Sequence, residues 1–291
     1  KTAVDSELQV NENDTQIHIK GREFAYTIDR RTALFTEMKF AGREYLNHPM
    51  ELNIWRAPTD NDMYIKAEWK KAHYDKAYTR AYTTEVVQGK HGVKIVSHAS
   101  VVAETVQKIL DVTITWKIDA SGKIDADIEA TKDGEFPDLP RFGVRMFLDK
   151  KLSDARYFGM GPQESYRDKH QAASHGLYRA NVGDLHEDYI RPQENGSHYD
   201  CEYVELNNSR YGIVASAEKA FSFNASYYTQ EELEKKTHNY ELIESDSVVF
   251  CVDYALNGIG SNSCGPVVLE QYRFDDVLFR FQFTLIPYVK G

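Results

Sequence analysis

The segment 277–288 alternates apolar and polar residues with a period of two. Three phenylalanines, Phe279, Phe281 and Phe283, fall on one side of an extended chain, and polar residues such as Arg280 and Gln282 fall on the other. This pattern is typical of a β-strand with one buried face, because successive side chains of a strand point to opposite faces. A chain built from many such segments can bury its apolar residues only by pairing strands into sheets.

The same alternation recurs along most of the chain. Its 19 Tyr and 14 Phe residues also favour strands. The predicted strands are residues 16–20, 24–28, 34–40, 93–103, 109–118, 124–130, 142–148, 202–206, 211–217, 221–226, 247–254 and 277–288. Ala120-Ser121-Gly122 predicts a hairpin turn between two of them. The sequence therefore predicts an all-β fold, a large antiparallel sandwich of two facing sheets.

Two segments depart from the strand pattern. Residues 63–79 suit a helix better than a strand, since Ala67, Trp69 and Lys70 are compatible with helical periodicity. Thr229 and Glu232 have the spacing of a capping box, which predicts one or two helical turns through Lys236. The fold should thus contain one or two short helices.

The chain shows no linker or repeat that divides it. We expect residues 1–13 to be a polar leader and residues 14–291 to form a single β-sandwich domain. The start of the sequence lacks both a methionine and the pattern of a signal peptide, so we interpret the chain as a fragment of a larger polypeptide.

Charge and cysteine content narrow the function classes. A formal net charge of −10 opposes binding to nucleic acid, which needs a basic surface. No apolar run is long enough to span a membrane as a helix. Three widely spaced cysteines without a Cys-x-x-Cys motif indicate free thiols and a reducing, cytoplasmic location.

Three groups of loop-like residues are candidates for binding groups, because rigid β scaffolds carry such groups on loops. They are residues 55–62, residues 157–168 together with 189–197, and residues 257–266. In the first, the clustered Asp60, Asn61 and Asp62 could hold a cation, bond sugar hydroxyls or cap the helix that follows. Capping is the favoured interpretation, and a pairing of Arg56 with Asp60 or Asp62 is interpreted as structural.

Catalytic residues are not indicated by any of these segments. Glu164 and Glu194 are conceivable as the acid and nucleophile of a retaining glycosidase, but glutamates in such turns more often accept hydrogen bonds from the protein. The histidines lack metal-binding spacing, and no Gly-x-Ser-x-Gly nucleophile motif occurs. We therefore assign no catalytic residue, cofactor or metal to this chain.

Taken in order, these segments resemble the C-terminal β-sandwich domain of the β-galactosidases of glycoside hydrolase family two. Residues 56–62 are similar to the family's Arg-Ala-Pro-x-Asp-Asn-Asp motif, and residues 159–166 to its Gly-x-Gly-Pro-Gln-Glu-Asn-Tyr motif. Residues 189–196 resemble its Tyr-x-x-Pro-x-Glu-Asn-Gly motif, and residues 260–266 its last loop, Gly-Asp-x-Ser-Trp-x-Pro. The likeness extends from about residue 14 to residue 288.

The resemblance implies a supersandwich fold, also seen in galactose mutarotases, in an enzyme that hydrolyses terminal β-D-galactosides such as lactose with retention. It places the catalytic glutamates, and any magnesium or sodium ion, in a separate barrel domain outside this chain. The partners it implies are that barrel and the other domains of the same polypeptide, the galactoside, and further copies in a homo-oligomer.

The resemblance also implies roles for individual residues. Cys264 occupies the position of a family tryptophan that reaches the sugar site, so Cys264, Ser263 and Asn262 are expected at the edge of the substrate pocket. Asp60, Asn61 and Asp62 are expected to position that loop.

Two alternatives remain from the sequence. One is an aldose mutarotase-like epimerase, which would need a histidine and a carboxylate beside the sugar ring. The other is a non-catalytic carbohydrate-binding or assembly module, for which Trp55, Trp69 and Trp116 are the candidate platforms, although we expect all three to be core or half-buried.

Overall fold

Two antiparallel β-sheets make up most of the molecule. The computed structural model describes residues 8–105 and 108–290. Within this part, the only α-helices are α1 (Ile65–Lys71) and α2 (Gln230–Lys235). The predicted all-β sandwich with one or two short helices is thereby confirmed.

The smaller sheet is a five-stranded meander in sequence order. Its strands are β1 (Gln9–Glu12), β2 (Gln16–Lys20), β3 (Phe24–Asp29), β4 (Leu34–Phe40) and β5 (Arg43–Glu44). Strand β1 lies inside the segment expected to be a leader. It pairs with β2 while the adjacent Leu8 is buried, which gives this short polar strand an apolar anchor. Residues 1–7 of the expected leader lie outside the described residues.

The larger sheet contains the other twelve strands of the described part of the chain. They are β6 (Leu46–Asn53), β7 (Tyr78–Gln88), β8 (Gly92–Val102), β9 (Leu110–Asp119), β10 (Ile124–Lys132), β11 (Arg141–Asp149), β12 (Asp154–Gly161), β13 (Ser174–Asn181), β14 (His198–Asn207), β15 (Tyr211–Ser226), β16 (Ser247–Leu256) and β17 (Leu278–Val289). The main path runs β13-β12-β14-β15-β17-β10-β9-β8-β7, and β16 joins β15 to β11, which pairs with β6.

Aromatic side chains join the two sheets. Phe35 of β4 packs edge-on against Trp116 of β9 at 4.9 Å between ring centroids, and Trp116 in turn contacts Phe283 of β17. The indole N–H of Trp116 donates to the carbonyl of Ala33 at 2.8 Å, so the buried ring leaves no polar group unpaired. All three tryptophans are buried, as expected.

The helix predicted for residues 63–79 is shorter than expected. It ends at Lys71 because His73, two residues later, has a φ of 60°, through which an α-helix does not continue. Strand β7 already begins at Tyr78. Helix α2 begins as predicted, with the Thr229 hydroxyl accepting a hydrogen bond from the Glu232 N–H at 3.1 Å.

Residues 157–161, which the sequence analysis placed in a loop-like group, instead belong to strand β12. Gly159 lies against β14, where a Cβ atom would come within 2.3 Å of the Cys201 sulfur. The glycine therefore permits close approach of two strands rather than a turn. Among the described residues, no helix is both long and apolar enough to cross a membrane.

Candidate functional site

The loop of residues 257–266, which follows β16, is fastened to the segment of residues 55–62 by a buried arginine. Arg56 donates from Nη1 to the carbonyl of Asn257 at 2.5 Å and from Nη2 to the carbonyl of Gly258 at 3.1 Å. Its guanidinium carbon lies 5.3 Å from the centre of the Trp69 ring, which comes from α1. Arg56 thus links the segment of residues 55–62, helix α1 and the loop.

Asp62 holds Arg56 in this position. Its two carboxylate oxygens accept from Nη2 at 2.8 Å and from Nε at 3.1 Å, and both side chains are fully buried. Oδ2 also accepts from the N–H of Thr59 at 2.9 Å. Of the two partners considered for Arg56, the structure shows Asp62. The expected capping of the following helix is not seen, since α1 begins after Tyr64 with no side-chain cap.

Asn61 fastens the far end of the same loop. Its Nδ2 donates to the carbonyl of Gly260 at 2.7 Å, while its Oδ1 accepts from the N–H and the hydroxyl of Ser263 at 3.1 and 2.8 Å. One amide side chain therefore uses both of its ends to hold two points of the loop. Asn61 therefore directly contacts Ser263, one of the expected pocket-edge residues.

Asp168, which the sequence analysis did not single out by itself, holds the middle of the loop. Its carboxylate oxygens accept from the N–H groups of Ile259 at 2.9 Å and Gly260 at 2.7 Å. Gly260 has a φ of +67°, the left-handed region that glycine adopts without steric cost. The loop is thus pinned from three sides by Arg56, Asn61 and Asp168.

Asp60 connects this cluster to the segment of residues 189–197. Its N–H donates to Oε1 of Gln193 at 3.1 Å, and Nε2 of Gln193 donates to its carboxylate at 3.2 Å. Because Gln193 is buried, this reciprocal pair fixes the turn at Asp60. The three loop groups identified in the sequence therefore meet at one place in the fold.

The loop presents its tip to the surface. Ser263 and Cys264 are exposed and Asn262 is half-buried, while the N–H groups of Cys264 and Gly265 bond the carbonyl of Ser261 in a compact turn. The tip offers an amide, a hydroxyl and a thiol on a fixed backbone. Such groups can contact a ligand through hydrogen bonds.

Glu164 is fully engaged with protein donors. Its Oε1 accepts from Lys169 Nζ at 2.5 Å and from the hydroxyl of Tyr189, and its Oε2 accepts from the N–H of Gly196 at 2.8 Å. Its side chain is only 7% exposed. This arrangement is that of a structural glutamate tying two turns together.

Glu194 belongs to a buried charge cluster that also contains Arg141 and Asp253. Arg141 donates two hydrogen bonds to Asp253, both at 3.1 Å, and a third to Glu194 at 3.3 Å. The other oxygen of Glu194 accepts from the Tyr166 hydroxyl at 3.3 Å. Sequence reasoning missed Arg141 and Asp253, although a charged residue inside the apolar run of β16 was a signal for a buried partner.

The cluster contains two carboxylates but one guanidinium. Protonation of a carboxylate is therefore favourable, because it removes the excess negative charge from the buried site. Burial raises the pKa of Asp253 from its ordinary value to about 7, and the adjacent Arg141 limits the rise. Burial likewise raises the pKa of the Tyr166 hydroxyl well above its usual value, so it donates to Glu194 as a neutral phenol. Within residues 8–105 and 108–290, no group of three or more His, Cys, Asp and Glu side chains is arranged to hold a metal ion.

Comparison with known proteins identifies the family. The family model described as β-galactosidase small chain matches residues 20–285. The chain belongs to this family. The small chain is 44% identical over 281 residues to a β-galactosidase of Actinobacillus pleuropneumoniae, and 32% identical over 282 residues to one of Staphylococcus xylosus. Each match covers 97% of the small chain but 28% of the relative, so the chain spans little more than a quarter of their length.

A solved structure supports the fold of the small chain. A galactose 1-epimerase from Lactobacillus acidophilus NCFM superposes with a TM-score of 0.50 at 8% sequence identity, covering 99% of this chain and 100% of that one. At this identity the likeness concerns the fold alone. The supersandwich expected from the resemblance is thus shared with a mutarotase-like protein, as predicted.

Proposed function

We propose that the small chain is the C-terminal domain of a β-galactosidase that hydrolyses terminal β-D-galactosides with retention, and that it completes one edge of the active site. The observation that carries this proposal is the pinned loop of residues 257–266. Three buried or half-buried polar groups hold the backbone that presents Asn262, Ser263 and Cys264, which is the preorganisation expected of a binding edge.

The two catalytic carboxylates of the parent enzyme belong, in this proposal, to a barrel domain outside the chain. Glu164 and Glu194 are poor candidates because each is saturated with hydrogen bonds from the protein. A nucleophile must be free to attack the sugar and a general acid must reach the leaving oxygen. We therefore expect the small chain alone to be inactive.

Exposed apolar residues lie close in sequence to the residues that hold or contact the pinned loop, and they support docking of another domain there. Two of these residues directly follow Asp62, and a third lies in the segment that Gln193 connects to Asp60. The other two flank Val268, whose side chain lies close to Gly258 and Gly260. We call these residues the apolar rim: Met63, Tyr64, Ile190, Val267 and Leu269. Apolar side chains gathered at one site are typical of a surface that another protein region covers.

We also propose a cellular compartment, partners and an oligomeric state for the parent enzyme. Cys201, Cys251 and Cys264 are all free, which fits a reducing cytoplasm. The net charge of −10 argues against nucleic acid as a partner, and we place the full-length protein in a homo-oligomer that acts on a soluble galactoside.

A mutarotase activity finds less support in the structure. A groove of about 670 Å³, which we call the sheet groove, lies on the face of the large sheet beside β17. Carboxylates such as Asp125 and Asp200 line it, but none of the described residues that line it is a histidine. The acid and base pair that ring opening requires is therefore not assembled there.

Hydrolysis of a chromogenic aryl β-galactoside tests the proposal. The purified small chain should show no activity alone and should give activity when mixed with the remaining part of its parent enzyme. Activity from the small chain alone would overturn the placement of the catalytic carboxylates and return attention to Glu164 and Glu194. A mixture that stays inactive, while the intact parent hydrolyses the substrate, would show that the two parts do not assemble in this way.

A further inference from the structure

The large sheet opens between β15 and β17. Residues 211–216 of β15 pair with residues 284–289 of β17, but from Ser222 onwards β15 pairs with β16 instead. Strand β17 continues along β10 as far as Leu278. The two strands therefore diverge, and the sheet groove lies in the opening between residues 217–222 and 280–284.

The direction of the backbone groups on β17 follows from two hydrogen bonds at its ends. The carbonyl of Val277 accepts from Lys132 on the β10 side, and the N–H of Lys290 donates to Arg210 on the β15 side. Because successive residues of a strand turn their backbone groups to opposite sides, odd-numbered residues face β10 and even-numbered residues face β15. Pro287 fits this assignment. As an odd-numbered residue it faces the β10 side, but it lies beyond the last residue pair with β10, so its missing N–H leaves no ladder hydrogen bond unmade.

Arg280 and Gln282 consequently turn their N–H and C=O groups into the sheet groove. Among the described residues, no strand pairs with either of them on that side, and neither backbone has a side-chain partner. Two residues of a strand rise by about 6.8 Å, so the groove offers two donor and acceptor pairs at the repeat of a β-ladder. Such groups are open sites for hydrogen bonding.

The remainder of the sheet groove is amphipathic. Its floor contains the rings of Phe281 and Phe283, which are almost fully buried. Its rim carries Lys117, Lys219 and Glu218, which take part in no ion pair within the described part of the chain. A bound strand would thus meet an apolar floor with alternate side chains and a charged rim with the others.

We propose that the sheet groove binds an extended segment of the parent polypeptide from outside this chain, which adds to β17 as a strand. The chain spans about 28% of its relatives' length, so such a segment would be covalently linked and present at high effective concentration. A saccharide could use the same groups, but it has no reason to match their ladder repeat. The proposal rests on the chain being part of a longer protein, and not on its galactosidase activity.

Hydrogen exchange at residue resolution in the full-length protein tests the proposal without any variant. The amides of Phe281 and Phe283 bond β10 and serve as internal controls beside Arg280 and Gln282. If a segment is bound, all four amides should exchange within about tenfold of each other, a difference of no more than about 1.4 kcal/mol in opening free energy. Exchange of Arg280 and Gln282 more than about tenfold faster than their neighbours overturns the proposal.

Two further readouts identify the occupant. Protection of Arg280 and Gln282 that appears only on addition of galactose or lactose overturns the proposal and assigns the groove to a saccharide. A photoreactive amino acid replacing the exposed Lys219 should cross-link to a peptide of the same polypeptide outside these 291 residues. A cross-link to a second copy of the small chain, or none, also overturns it. These outcomes do not depend on hydrolytic activity, so they are distinguishable from a failure of the proposed function.

Discussion

Asn61 and Ser263 lie 202 residues apart and share two hydrogen bonds. The same Asn61 amide donates to the carbonyl of Gly260. A single side chain therefore links the turn of Asp60–Asp62 to two points of the loop that carries Cys264. Among the three side chains that hold the loop, Asn61 is the one that contacts Ser263 at the proposed pocket edge.

Replacing Asn61 should loosen the loop without unfolding the domain. Asn61→Ala removes three hydrogen bonds at a half-buried site, which we expect to lower the free energy of unfolding by about 1–2 kcal/mol. In the full-length enzyme the displaced loop should lower kcat/KM for an aryl β-galactoside about tenfold. Urea unfolding of the small chain and steady-state kinetics of the enzyme measure the two effects.

Asn13→Ala provides a matched control for this prediction. Among the described residues, Asn13 accepts side-chain hydrogen bonds from Thr15 and Gln16 alone, within its own exposed turn, so its loss should leave catalysis unchanged. Asn61→Asp tests the two contacts of the Asn61 amide separately. A carboxylate still accepts hydrogen bonds from Ser263 but cannot donate one to Gly260. Full activity in Asn61→Ala would contradict the proposed role of the loop.

The Arg56–Asp62 pair should contribute far more to stability than a surface ion pair. Asp62→Ala leaves a fully buried guanidinium without its bidentate partner, which typically costs about 3–5 kcal/mol. Glu244→Ala, which breaks the exposed contact with Lys150, should cost less than about 1 kcal/mol. Equal losses in urea unfolding would show that the buried pair is compensated by water or by rearrangement.

The strands with one buried face were predictable because their signal is local. In β17, for instance, every second residue is apolar, and the order of residues alone places Phe279, Phe281 and Phe283 on the buried side. Strand β7 was missed because it lies at the sheet edge and is largely exposed. Strand β6 was missed because Pro49 interrupts its pattern.

The site was only partly predictable, because its contacts join distant segments. The sequence placed Asp60 and Asn61 among the candidates, but the closest partners of their side chains, Gln193 and Gly260, are 133 and 199 residues away. Asp168 and Arg141 have no local pattern that marks them as anchors. Only the pairing of β11 with β16 brings Arg141 beside Asp253, and that pairing depends on the whole sheet.

The buried cluster of Arg141, Asp253 and Glu194 predicts a specific pH dependence. The pKa of Asp253 is raised to about 7, so the folded state binds a proton that the unfolded state releases near pH 4. Stability from this group is therefore greatest at low pH, falls as the pH rises from about 4 to about 7, and then levels off. Urea unfolding between pH 5 and 8 should show that Asp253→Asn removes this decline.

Asp127 is a control of opposite sign. The hydrogen bonds from Arg280 lower the pKa of Asp127, so its stabilising contribution is present above the ordinary pKa of an aspartate and is lost as the pH falls below it. Asp127→Asn should therefore leave the profile between pH 5 and 8 unchanged. If both variants flattened this profile equally, the decline would not come from the buried cluster.

Cys264 provides a direct test of the proposed pocket edge. It is the exposed thiol, whereas Cys201 and Cys251 are buried, and burial raises the pKa of Cys251 to about 12. Since the thiolate is the reactive form, iodoacetamide should label Cys264 rapidly in the native small chain and reach the other two only after unfolding. Cys264→Ser should remove the rapid phase.

In the full-length enzyme, labelling of Cys264 should respond to substrate analogues. A non-hydrolysable thio-β-galactoside at ten times its dissociation constant leaves about a tenth of the sites free, so the labelling rate should fall about tenfold if the ligand covers the loop tip. The same concentration of a thio-β-glucoside, which a galactose-specific pocket excludes, should have no effect. A rate that no galactoside changes, in an enzyme that still hydrolyses its substrate, would place Asn262, Ser263 and Cys264 away from the sugar and limit the pinned loop to a structural role.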